Sequence, residues 1–218
     1  ATLFAVPTGL LTAIYLAEYR RGPLAVSVRF VAEQLGGVPS IVVGIFAASL
    51  FGYLAVWLES VTGSRVRLYG WSAVFALAVM MIPIVLRATE EALRLVPVSL
   101  RTASQALGAS QAQTILRVVL PAALPAIITA VFLSVARIAG ETAPLLLTAG
   151  ENNAWPTSMG DFMPTLPPYI YKYATSAFEN QQRQAWAAAF VLMAMVLLLN
   201  FGIRLVTGKR VVQASRAD

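Results

Sequence analysis

Residues 38–58 read V-P-S-I-V-V-G-I-F-A-A-S-L-F-G-Y-L-A-V-W-L, without one formal charge. About 20 apolar residues suffice for a helix to cross the hydrocarbon core. In lipid a single segment can satisfy its own backbone N–H and C=O groups only by coiling into a helix. The run therefore predicts a transmembrane α-helix. Gly44, Ala48 and Gly52 recur in it every four residues, a small-residue stripe where another backbone can come close. Stretches 1–17, 68–86, 122–149 and 185–206 read the same way. The expected fold is an all-α membrane protein, one domain over residues 1–218 with five transmembrane helices.

Composition agrees. Of 218 residues, 58% are hydrophobic and 12% charged, about half the charged fraction of a soluble domain. Mean hydropathy is +0.73. The chain has no cysteine and no histidine. That removes thiol nucleophiles, imidazole bases and the usual zinc ligands. No G-x-x-x-x-G-K-[ST] loop occurs, so any ATP that drives the protein is held elsewhere. No catalytic residue and no metal site is predicted. The chain begins at Ala1 without a positively charged leader; it reads as a processed or excised piece.

The net charge of +6 lies in loops between the apolar spans, which argues against nucleic acid as a partner. If the loop after the first span is cytoplasmic, that face carries Arg20, Arg21, Arg29, Arg87, Arg94, Arg101, Arg117, Arg204, Lys209, Arg210 and Arg216. The other face carries Arg65, Arg67, Lys172 and Arg183. The bias places the N-terminus outside and the C-terminus in the cytoplasm. An odd number of spans with an outside start implies one upstream helix missing. Trp57, Trp71, Trp155 and Trp186 fall near the outer boundary, as an aromatic belt would. Pro83 is expected to kink its helix.

Between the third and fourth spans, residues 88–121 are too polar to cross. Pro97 breaks the stretch, Ser99 is positioned to cap a helix over 100–107, and Gly108 can end it in the left-handed conformation. Ser110 and Gln113 form a capping box for the next helix. The product is a short helix with Leu100, Ala103 and Leu107 on one face, presented to a cytoplasmic partner or resting on lipid.

The fourth span holds Arg137 and Glu141, four residues apart and able to pair on one helix face. Ser134 and Thr148 fall on the same stripe. Ionisable groups at membrane depth face a cavity or a partner helix, and the guanidinium fork suits oxyanion oxygens. A carboxylate beside it favours an oxyanion that brings its own proton, as phosphate does and sulfate does not. A purely structural ion pair is the alternative. Residues 150–184, with Pro156, Pro164, Pro167 and Pro168, form an outer loop. It either receives a partner or serves as a solvated connector with a short helix over about 169–179.

The loop over 99–121 resembles the EAA loop of ABC importer permeases, E-A-A-x-x-x-G followed nine residues later by I-x-L-P. Thr102, Ala103 and Ser104 take the E-A-A places, Gly108 the glycine, Val118 the isoleucine, and Leu120 and Pro121 match outright. In that family the loop docks on the ATPase. Arg101 and Leu107 belong to the same element, and Thr102 for glutamate removes an acidic contact that Arg94 or Arg101 is expected to replace. The runs I-Y-L-A-E-Y at 14–19, G-V-P-S-I-V-V-G at 37–44 and A-R-I-A-G-E-T-A-P-L-L at 136–146 extend the likeness to the PstA-type permease family of bacterial phosphate importers, minus its first membrane helix. The resemblance implies the MetI-like permease fold, an inner-membrane location and phosphate passage past Arg137 and Glu141. It also implies a heterodimer with a second permease, two ATPase subunits holding ATP and Mg, and an extracytoplasmic phosphate-binding protein. A permease for molybdate or sulfate, or a non-conducting scaffold or sensor subunit, are the other expectations.

Overall fold

The structure, a computed structural model, describes residues 1–19, 22–151 and 155–214, the last stretch from residue 203 by backbone alone. Arg20, Arg21 and Arg216 of the charge bias lie outside the described residues, as do the side chains of Arg204, Lys209 and Arg210. The elements are α1 (Thr2–Glu18), α2 (Pro23–Gly37), α3 (Ser40–Thr62), α4 (Tyr69–Arg94), α5 (Val98–Ala106) and α6 (Gln111–Thr114). A π-helical segment (Ile115–Val119) leads into α7 (Leu120–Ala139), followed by α8 (Ala143–Thr148), α9 (Leu166–Ala174) and α10 (Glu179–Ala214).

Among the described residues, four helical runs are long and apolar enough to cross a membrane: α3, α4, the run Gln111–Ala139, and Glu179–Gly202 within α10. α1 is a shorter apolar helix. Each expected span thus corresponds to a helix, but the fourth is displaced from 122–149 to 111–139. Pro121 and Pro125 lie inside this run. Pro121 has no N–H, and its ring opposes the carbonyl four residues back. The backbone widens there, and the Leu120 N–H donates to the Ile115 carbonyl five residues earlier. At the other end the Gly140 N–H donates to the Arg137 carbonyl at 3.2 Å and the Glu141 N–H to Ile138 at 3.1 Å. These three-residue bonds tighten the last turn and end α7. Pro144 could not extend the same helix without removing one more donor. The chain restarts as α8 instead, with the proline in its first turn.

Other boundaries also move. α4 continues through the polar residues 87–94, supported by Arg94 on Glu90 one turn away, 2.5 Å apart. α2 has no counterpart among the expected elements. Its apolar residues are interrupted by Ser27, Arg29 and Glu33, and a shared cluster with α1 and α4 holds it. α9 starts at Leu166 rather than 169, because Pro167 and Pro168 suit a helical first turn. α10 starts at Glu179, with Arg183 on Glu179 at 2.7 Å.

The chain packs as two compact units. One comprises Ala1 and residues 37–80 and 137–198; the other comprises residues 2–36, 81–136 and the end of α10. In the first, α3 meets α8 at Gly44, where a Cβ would lie 2.7 Å from the Pro144 Cα. Only glycine permits that approach, so the first position of the small-residue stripe is a helix contact. Val43, Ala47 and Ala76 form one core there, and Ala73, Leu145 and Ala149 another. Tyr69 stacks on Phe162 with ring centroids 4.2 Å apart. Nearby, Asp161 accepts from the Thr157 hydroxyl at 2.7 Å and from the Thr157 and Ser158 amides. These bonds, that from the Thr157 hydroxyl foremost, hold its carboxyl below the ordinary aspartate range. In the second unit Ala17, Leu93, Val96, Val119, Ala123 and Ile127 form the core. Ala13, Leu16, Ala25, Ala32 and Leu86 join α1, α2 and α4.

Half of the apolar window of α4 is buried, against 6% of that of α10. Phe46 and Tyr53 on α3 and Phe190 and Leu198 on α10 are exposed. On membrane helices such faces meet lipid or another helix.

Candidate functional site at the α7 break and the coupling loop

Arg137 lies in the last turn of α7, where a cation is favoured by the negative end of the helix dipole. It is exposed, and Glu141 is half-buried in the link to α8. The expected pairing on one helix face does not form. α7 stops at Ala139, so the four-residue helical spacing is lost, and among the described residues neither side chain enters an ion pair. Among the described residues no acceptor takes the Arg137 donors, and the guanidinium is left at the end of an apolar helix.

Ser134 and Thr148 are buried, each 1% exposed. The Ser134 hydroxyl donates to the Ala130 carbonyl and that of Thr148 to Pro144, both at 2.8 Å. Both hydroxyl protons are therefore committed to their own helices. The stripe of hydroxyl, guanidinium, carboxylate and hydroxyl is not a continuous row of available donors.

The coupling loop keeps its expected order with one correction. α5 begins at Val98, so Pro97 and not Ser99 stands at its N-cap, with no side-chain cap bond. Proline fixes φ near the helical value and leads directly into the first turn. Gly108 has φ +86° and stops the helix in the left-handed region, as expected. The Ser110–Gln113 box is present in both directions, at 3.3 and 2.9 Å. No residue of α5 is buried. Leu100 is 45% and Leu107 90% exposed, so the expected apolar face stands unpartnered. Ser104 and Thr114 hydroxyls meet at 3.0 Å, tying α5 to α6. Thr102 bonds back to the Val98 and Ser99 carbonyls. Val118 belongs to the π segment, and Leu120 and Pro121 open α7.

Arg101 departs from its expected role. Nη1 bonds the Glu18 carboxylate and Nη2 donates to the Leu93 carbonyl at 2.8 Å. The Gln111 side chain donates to the Glu18 carbonyl at 3.3 Å. Arg94 is likewise engaged, by Glu90, which also takes Arg29 at 2.6 Å. Neither arginine is a loose charge for a partner; Arg101 ties α5 to the ends of α1 and α4. Sequence reasoning missed Glu18 as an anchor. It lies in the quoted run 14–19, but 83 residues separate it from Arg101, and no local pattern links them.

Residues 5–210 match the family described as the binding-protein-dependent transport system inner membrane component. The chain belongs to this family. As an inner membrane component it is a multi-pass permease subunit. It is 41% identical over 211 residues to the phosphate transport system permease protein PstA of Yersinia pestis, covering 96% of this chain and 68% of that protein. With the protein of the same description from Haemophilus influenzae the identity is 43% over 206 residues, covering 94% and 69%. With PstA 1 of Mycobacterium tuberculosis it is 38% over 216 residues, covering 96% and 67%. The fold is that of a solved inward-facing MetNI methionine ABC transporter chain, with TM-score 0.66 and 21% identity, over 98% of this chain and 88% of that one. A chain of an amino acid ABC transporter solved with histidines gives 0.62 at 16% identity, over 95% and 88%. The MetI-like architecture expected of this permease is thus present.

Proposed function

We propose that this permease subunit carries inorganic phosphate across the inner membrane, driven by ATP that separate subunits hydrolyse. The observation that carries the reading is Arg137: an exposed guanidinium without an ion pair among the described residues, in the last turn of a helical run whose most apolar 18-residue window has mean hydropathy 2.4. A guanidinium at the end of an apolar membrane helix is placed to face water or a ligand. The identity to phosphate permeases supplies the substrate class. The planar fork takes two oxyanion oxygens at once. Glu141, beyond the break, limits how long the anion stays, and a protonated phosphate oxygen can donate to it. Ser134 and Thr148 shape the helices on either side through their carbonyl bonds.

The assembly that fits this reading contains a homologous second permease against the exposed apolar faces. Two ATPases with ATP and Mg dock below the two permeases, one of them on the Leu100–Leu107 face of α5, and an extracytoplasmic phosphate-binding protein stands opposite. The C-terminus is then cytoplasmic. Closure of the ATPases moves α5, and the Arg101–Glu18 and Arg101–Leu93 bonds pass that movement to α1 and α4. Reconstituted complex in liposomes, supplied with ATP and binding protein, tests this by uptake of radiolabelled phosphate in competition with arsenate and sulfate. Arsenate is expected to compete and sulfate to leave uptake unchanged. Preference for sulfate, or ATPase binding without solute movement, would overturn it.

A further inference from the structure

A second place in the chain has the chemistry of an anion site. It lies entirely within the unit built from residues 37–80 and 137–198, in a cavity of about 370 Å³. Ligand sites commonly begin at about that size. One wall is α3, where Ala48 and Gly52, the second and third members of the small-residue stripe, leave the space open. A Cβ at Gly52 would meet nothing within 4 Å, so this part of the stripe serves no helix contact. The rim is the connector from α3 to α4, which brings Arg65 and Arg67. The floor includes the first turn of α4, where the Tyr69 N–H already donates to the Gly160 carbonyl at 3.2 Å and the Ser72 N–H to the Leu68 carbonyl at 2.9 Å, so any contact there falls to side chains.

The side chains show what the cavity lacks. Ser72 lines it, is 3% exposed, and its Oγ has no hydrogen-bond partner among the described residues. A buried hydroxyl without a partner costs free energy, and such a group calls for a ligand or water at that point. Arg65 enters no ion pair among the described residues, and Arg67 reaches Asp161 only at 3.9 Å. The one acid in the lining, Glu59, accepts from the Val66 N–H at 3.0 Å; it holds the connector in place. Two loosely held guanidinium groups and an unpartnered hydroxyl belong to residues that line one space.

We propose that this cavity binds a phosphate-type oxyanion, taken by Arg65 and Arg67 at the rim and by Ser72 within. The anion chemistry stands on these residues alone. That the ion is transported phosphate, met on the face where a binding protein delivers it, rests on the reading of the preceding section. The phosphate group could belong to the free ion or to a lipid headgroup.

The test uses the complete transporter complex in nanodiscs, in an Arg137→Gln background so that the α7 site adds no binding. Equilibrium binding of radiolabelled inorganic phosphate is compared with and without Arg65→Gln/Arg67→Gln. Losing a charged contact costs about tenfold in affinity, so the pair should weaken binding about a hundredfold. Ser72→Ala should weaken it several-fold without lowering the unfolding temperature, since it removes an unsatisfied group. In a parallel arm, native mass spectrometry counts phosphatidylglycerol retained by each variant. Loss of ion binding supports the site with the free ion as occupant. Loss of lipid alone supports it with the headgroup as occupant. If neither changes, the proposal is overturned, whatever the uptake assay gives. Conversely, arginine-dependent binding in that background, together with a complex of wild-type Arg137 that moves no phosphate, would overturn the transport reading and leave the site standing.

Discussion

Arg101 and Arg137 put the same guanidinium to opposite ends. Arg101, with 21% of its side chain exposed, is held by a carboxylate 8% exposed and by a main-chain carbonyl. It is a strut between helices. Arg137 stands exposed at a helix end with no ion pair among the described residues. The difference lies in the backbone. Around Arg101, the ends of α1 and α4 bring acceptors within reach. Around Arg137, the turn at Gly140 takes Glu141 off the helical spacing that would have paired it. A one-turn interruption leaves exposed a guanidinium that uninterrupted helical spacing would have set beside a carboxylate, as the proposed anion passage requires.

The largest effect should come from breaking the receptor side. Arg137→Gln keeps length and hydrogen bonding but removes the charge. Losing a charge-assisted contact of about 3 kcal/mol corresponds to about a hundredfold fall in phosphate uptake. Assembly with the ATPases and the unfolding temperature should stay at wild-type values. If uptake persists, or if stability falls as it does for Arg101, the two arginines are not different in kind.

Breaking the strut should read out in stability first. Arg101→Met leaves Glu18 buried without its partner. We expect a loss of about 2–3 kcal/mol, below the full figure for a buried pair because Arg101 is partly exposed. Phosphate moved per ATP hydrolysed should fall too, as α5 is loosened from α1 and α4. Glu18→Leu/Arg101→Met removes both charges and should be less destabilised than Arg101→Met alone. A double-mutant cycle by thermal unfolding checks this; additive losses would show that the pair is not a strut.

What could be read from sequence follows the range of the forces involved. The apolar spans and the Ser110–Gln113 box are local, and each corresponds to an observed element. The 122–149 span was misplaced because apolar content says nothing of where Pro121, Gly140 and Pro144 redirect the backbone hydrogen bonds. α2 stayed hidden because its helicity rests on tertiary burial of Ala25 and Ala32. The Arg137–Glu141 pairing failed for the same reason as the span: spacing in sequence becomes proximity only where the helix continues. The Arg101–Glu18 bond and the cavity around Ser72 depend on contacts across the fold, which no local pattern encodes.

A smaller effect would sharpen the receptor side. Gly44→Ala places a Cβ 2.7 Å from the Pro144 Cα, a backbone atom that cannot turn aside. α8 must shift, at a cost of about 1–3 kcal/mol. Gly52→Ala, in the same stripe with nothing within 4 Å, should instead gain a few tenths of a kcal/mol from helix propensity. Thermal unfolding of the two variants separates them. Equal losses would mean that the stripe is packed throughout and that the cavity beside Gly52 is closed in the membrane.

The smallest effects lie on the coupling side and distinguish two serines. Ser110→Ala removes the acceptor of the Gln113 N–H and should cost about 1 kcal/mol. Ser99→Ala should cost almost nothing, because Pro97 holds the N-cap position and the Ser99 contact with Thr102 is made by the main-chain carbonyl. Gly108→Ala, at φ +86°, should match Ser110→Ala in size, since a Cβ in the left-handed region costs about 1–2 kcal/mol. Hydrogen exchange across 98–114 reads all three locally. Faster exchange in α5 on Ser99→Ala would move the cap back to Ser99. The start of α5 would then be fixed by a side chain, and its rigidity would not follow from Pro97 and the Arg101 anchor.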